Sequence, residues 1–209
     1  MHVSRAVFLD KTVKKFLRST AAFDVMDFRA VTLLFIASVA LIILMPSEST
    51  LGDSYKLVYF HVPITVITVI SMILFPALHF KTNYAEIRAF STATSLYSGI
   101  HLIISSIFMF VAWGGIIFSE IRFAFSVTLF LFAITHTSLC FLDLRLARAY
   151  SFFIYPVILY FYIQLTKAEF QLHPATVKMP APLYIPFIFS FPLVFLLYFR
   201  LKNFVKSKC

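Results

Sequence analysis

VYFHVPITVITVISMILFPALHF, residues 58–80, contains no aspartate, glutamate, lysine or arginine. As a helix rising about 1.5 Å per residue it reaches about 34 Å, enough to cross a hydrocarbon core of roughly 30 Å. Five further apolar runs lie near 29–45, 89–112, 121–142, 150–166 and 183–200. Composition points the same way. The chain is 61% hydrophobic and 13% charged, with a mean hydropathy of +0.91, a balance that soluble domains of 209 residues rarely show. The expected fold class is therefore all-α, a polytopic integral membrane protein with six transmembrane helices. Short connections predict antiparallel neighbours. The chain divides into a tail at 1–27, a membrane domain at 28–200 and a basic tail at 201–209. No loop is long enough for a separate soluble domain, and no internal repeat is visible. The first apolar run ends at LMPSES, residues 44–49, without a small-x-small cleavage pattern, and reads as a retained anchor.

Orientation follows from the basic residues. With the amino terminus inside, the inner side holds Arg5, Lys11, Lys14, Lys15, Arg18, Arg29, Lys81, Arg88, Arg145, Arg148, Arg200, Lys202, Lys206 and Lys208. The outer side holds Lys56, Arg122, Lys167 and Lys178. Both termini are expected inside. The net charge of +9 then orients the chain on its lipid bilayer, and no nucleic-acid partner is expected. Asp143, Arg145 and Arg148 read as an inner loop with an internal ion pair.

This arrangement puts loops 46–62, 113–122 and 167–182 on the outer side, and with them His61, Trp113, Glu120, Arg122 and His173. Pro63 suits a first helical turn, which places His61 at or just before a helix start. Tyr55, Tyr59 and Trp113 have the amphipathic character of a headgroup boundary. A histidine at such a boundary is more often solvated than ligating. Two on one rim, however, could grip a flat iron cofactor from its two sides, because neutral imidazole is a good haem ligand. The stretch WGGIIFSEIR, residues 113–122, reads either as a glycine-containing turn with a Glu120–Arg122 pair or as a platform beside the histidines. In the second reading the Arg122 guanidinium matches a propionate.

His101 and His136 lie inside spans three and four, where ionisable groups are functional candidates. Their depths differ by about 8–9 Å at 1.5 Å per residue, which argues against a shared haem. Interhelical hydrogen bonds to Ser, Thr or Tyr are the plainer expectation. Cys140 and Cys209 form no CxxC or CxxCH, so no thiol redox or c-type haem motif is present. P-loop, GxSxG and HExxH patterns are missing too, and no catalytic activity is expected of this chain.

LGDSYKLVYFHVP, residues 51–63, resembles the GDSYRIIYIHVP-like opening of the second span in the CcmC family, the haem-handling proteins of cytochrome c maturation within the CcmC/CcsA superfamily. WGGIIFSEIR is similar to that family's WGTWWVWDAR signature. LDLRLARA, residues 142–149, and LHPATVKM, residues 172–179, extend the likeness over about 28–200. The resemblance implies that His61 and His173 are axial ligands to the iron of haem b, a transient cargo. It also implies that Trp113 and Gly114 line a platform, and that Glu120 and Arg122 shape its polar end. Implied partners are a CcmE-type haem chaperone, ABC-transporter subunits of the CcmA and CcmB types and a small CcmD-like membrane subunit. The implied location is a bacterial or mitochondrial inner membrane. Alternative readings are a structural subunit of the maturation complex, or a membrane b-haem electron-transfer protein. Three signature tryptophans are replaced by Ile116, Ile117 and Ser119 here, which removes ring stacking worth about a kcal/mol per contact.

Overall fold

The computed structural model describes residues 28–47, 52–81, 83–167 and 184–208. His173, the segments 48–51 and 168–183, and the tail before residue 28 lie outside the described residues. Seven α-helices follow one another: α1 (Phe28–Leu44), α2 (Val58–Lys81), α3 (Tyr84–Trp113), α4 (Ile121–Leu142), α5 (Leu144–Ser151), α6 (Ile154–Lys167) and α7 (Ile185–Lys206). A 3₁₀ turn at Asp53–Leu57 leads into α2. Among the described residues there is no strand.

Among the described residues, five helical stretches are long and apolar enough to cross a membrane: 53–80, 84–113, 121–142, 144–164 and 185–206. The helix over 29–44 is apolar but shorter. Their outward faces expose Ile103, Ile107, Leu131, Ile134 and Leu159, apolar surface that water would penalise and lipid accepts. These features fit a multi-pass membrane protein.

The core lies where α2, α3, α4 and α7 meet. Met72 and Phe75 of α2, Phe90 and Ala93 of α3, Leu129 and Ala133 of α4, and Val194 and Tyr198 of α7 form one buried cluster. α3 has its most extensive contact with α4, while α7 packs against α1, α2 and α3. α1 reaches the bundle through Val31 against Leu193 and Leu196. Small hydroxyl side chains tie the helices together. Thr94 Oγ1 and Tyr198 Oη are 2.8 Å apart, and Tyr97 Oη donates to the Val194 carbonyl at 3.0 Å. Lipid gives no hydrophobic drive for helix to meet helix, so such packing and hydrogen bonds carry the association.

Several boundaries differ from the sequence reading, each for a local reason. The LDLRLAR stretch, expected as a loop, is helical from Leu144 onward. Asp143 caps α5, its Oδ1 accepting from the Arg145 and Leu146 backbone N–H groups at 2.7 and 3.3 Å. Its carboxylate is thus spent on backbone donors. Asp143→Ala is expected to lower stability by about 1 kcal/mol, read as a small drop in the thermal midpoint of the detergent-solubilised protein. The fifth apolar run is split, with α5 and α6 joined by a turn at 152–153. The tail expected from residue 201 continues as helix to Lys206. Lys202 is 3% exposed, its Nζ 2.6 Å from Glu86 Oε1. Tyr55 and Tyr59 are buried against their neighbours. They meet edge to face at 5.8 Å, and Tyr59 packs on Phe187 at 4.9 Å.

Candidate functional site

Residues from α2, α3, α4 and the α3–α4 loop converge on one cleft at one end of the bundle. His61, Ser105, Phe108, Met109, Trp113, Glu120, Arg122, Phe123 and Ser126 line it, and its empty volume is about 300 Å³. Four of the six residues picked out by sequence, His61, Trp113, Glu120 and Arg122, are therefore brought together. His173 lies outside the described residues.

Each arrives through local chemistry. The 3₁₀ turn carries the chain into α2 early, so His61 sits within the first turn of α2 rather than at or before its start. Pro63 is the sixth residue of α2, inside the helix rather than in its first turn, so its missing N–H forgoes the bond to the Tyr59 carbonyl. Trp113 is the last residue of α3, and its ring meets Phe108 edge to face at 5.3 Å. Gly114 then takes φ 73°, a left-handed C-cap whose N–H donates to the Phe110 carbonyl at 2.9 Å. A Cβ there would touch nothing within 4 Å. Glycine is favoured at 114 by backbone conformation alone. Gly114 turns the chain beside Trp113 and is not among the residues that line the cleft.

Glu120 plays two parts. Its Oε2 accepts from the Phe123 N–H at 2.7 Å and caps α4. Its Oε1 is buried and has no hydrogen-bond partner among the described residues. A carboxylate oxygen left so is an unused acceptor on a residue that lines the cleft. Two residues on along the chain, the Arg122 side chain lines the same space.

Behind His61 stands a second buried histidine. The His101 ring stacks on the His61 ring, centroids 4.4 Å apart at 25°, and is 1% exposed. Neither of its ring nitrogens has a hydrogen-bond partner among the described residues, contrary to the expected interhelical bond. His61 Nδ1 faces Ser105 Oγ at 3.4 Å, and Ser105 Oγ is 3.2 Å from Ser126 Oγ. Axial imidazoles meet an iron end-on from opposite sides. Two rings stacked face to face cannot do so, and the gap between them admits no porphyrin. The His101 ring backs the His61 ring. His136 belongs elsewhere: its ring nitrogens face Ser91 and His79, near the far end of α2. His79 was unweighted in the sequence because it ends a span next to Lys81, where a histidine reads as a boundary residue.

The cleft thus offers an imidazole with a backing ring, an acidic acceptor, a guanidinium and an indole, open at a rim. Such a set suits a flat, partly anionic, metal-bearing ligand. No protein-family model matches this chain, and no curated protein matches it.

Proposed function

We propose that this chain is a six-span membrane protein, both termini inside, that holds haem b at the outer face of the membrane and passes it on during cytochrome c assembly. In this reading α1, 17 residues long, is the remaining span, at the short end of the range for a transmembrane helix. The observation that carries the proposal is the convergence of His61, Trp113, Glu120 and Arg122 on one rim cleft. His61 supplies one axial nitrogen, and His173 supplies the other from the loop before the last span. The cleft is smaller than ligand sites usually are, so it takes only one edge of the macrocycle and leaves the rest along the rim. Trp113 packs beside the ring, and Arg122 pairs with a propionate. Retention then depends on two axial bonds and few other contacts, which lets cargo leave for a CcmE-type chaperone. CcmA-, CcmB- and CcmD-like subunits are the partners of this reading, in a bacterial or mitochondrial inner membrane.

The test is the absorption spectrum of the detergent-purified full chain titrated with haem. The expected result is a Soret band with the sharp visible bands of two-histidine ligation. That band disappears in the His61→Ala, His173→Ala double variant. An unchanged spectrum in the double variant overturns the ligand assignment. If the unaltered protein shows no Soret band, haem handling itself fails and a structural subunit remains.

A further inference from the structure

Away from the cleft, three potential metal ligands meet near the other end of the bundle. His79 lies 18 residues along α2 from His61, about 27 Å at helical rise. His136 and Cys140 stand one turn apart on α4. The ligand atoms of these three residues lie within 4.8 Å of one another. All are buried, at 5%, 0% and 0% exposure. His79 Nε2 is 3.0 Å from His136 Nε2, and Cys140 Sγ is 4.0 Å from the same His136 nitrogen. With bonds of about 2.0 Å to nitrogen and 2.3 Å to sulfur, donors sharing one ion stand about 3.3–3.7 Å apart. Small side-chain rotations close that difference.

The surroundings are those of a held ligand. Ser91 Oγ is 2.7 Å from His136 Nδ1 and 2.8 Å from Thr137 Oγ1. The hydroxyl can accept from Nδ1–H and donate onward to Thr137, which turns the Nε2 lone pair of His136 toward His79. Outer partners of this kind fix the tautomer of metal-binding imidazoles. The Phe75 ring stacks on His136 at 4.0 Å and 8°, locking its plane and keeping the site dry.

We propose that His79, His136 and Cys140 bind one cuprous ion. Charge selects it. A monovalent ion with one thiolate and two neutral imidazoles forms a neutral complex, whereas a divalent ion leaves a net positive charge in an apolar interior, which is costly. Two cations already stand close. Arg88 Nε donates to the Cys140 carbonyl at 3.0 Å, and Arg148 Nη2 donates to the His79 carbonyl at 3.2 Å. Thiolate and imidazole donors also suit the softness of Cu(I). On binding, the ion bonds to Sγ and both Nε2 atoms. The Cys140 thiol releases its proton to solvent. The proton between the two imidazoles moves from His79 Nε2 to His79 Nδ1, and the N–H···N hydrogen bond is lost. No electron is transferred.

The experiment uses the full chain in detergent with Cys209→Ser, titrated against Cu(I) held by bathocuproine disulfonate under anaerobic conditions. One equivalent is expected to leave the chelator, with a near-ultraviolet thiolate-to-Cu(I) band. Cys140→Ser should weaken binding at least about a hundredfold, and Ser91→Ala about tenfold. His79→Gln serves as the second ligand variant should Cys140→Ser fold poorly by circular dichroism. His61→Ala should leave the copper stoichiometry at one, which separates this site from the haem cleft. No transfer to the unaltered ligand set, full binding by folded Cys140→Ser or His79→Gln, or displacement of Cu(I) by equimolar Zn(II) each overturns the proposal.

Discussion

Glu86→Ala is expected to destabilise the folded bundle by about 3–5 kcal/mol. Glu86 stands in the first turn of α3, where the carboxylate also favours the helix N-terminus. Its two oxygens receive Lys202 Nζ and Lys206 Nζ, each at 2.6 Å. Lys202 is 3% exposed, so removing the carboxylate strands an ammonium among Phe199 and its neighbours. A buried charge without its partner costs far more than the intact pair gains. Lys206 is different, because its side chain is 44% exposed and water can take it over. Lys206→Ala is therefore expected to cost less than about 1 kcal/mol. In thermal unfolding of the detergent-solubilised protein, Glu86→Ala should lower the midpoint by roughly 10 °C. The Glu86→Ala, Lys202→Met double variant should recover most of that loss. A midpoint for Glu86→Ala within about 2 °C of the parent would refute the lock between α3 and α7.

His101→Leu should weaken haem retention by about tenfold or more while leaving the Soret maximum where it is. The side chain is buried against His61, and its two nitrogens are unpartnered among the described residues. An apolar residue of similar size removes unsatisfied polar atoms, so stability should not fall. What is lost is the flat surface that holds the His61 ring. Lower affinity with an unchanged spectrum and an unchanged melting midpoint is the signature of a positioning residue. A shifted Soret band would make His101 a ligand instead, as an electron-transfer protein would need. Unchanged affinity would show that the stack has no bearing on the cargo.

The cleft was partly legible before any tertiary structure. Trp113, Glu120 and Arg122 fall within one short connection, so chain proximity alone brings them near each other. His61 joined them through topology, because antiparallel neighbours return the chain to the same end. His101 did not join them on paper. It stands near the middle of α3, and residue counts along one helix do not say that its ring meets His61 of α2. His79 and His136 likewise became a pair only when α2 met α4.

By itself the sequence determined that this chain is helical and carries several segments able to cross a membrane. That information is one-dimensional: an uninterrupted apolar run must satisfy its own backbone polar groups, and a helix does so within the run. Tertiary structure decided which polar groups are buried and with whom. Lys202 read as part of a solvated tail until Glu86, 116 residues earlier, came within 2.6 Å of it. Tyr59 is buried against Phe187, a contact that hydropathy does not show. Whether a polar side chain meets lipid, water or a partner depends on its rotational position about the helix and on the neighbouring helix. Hydropathy along the chain carries neither.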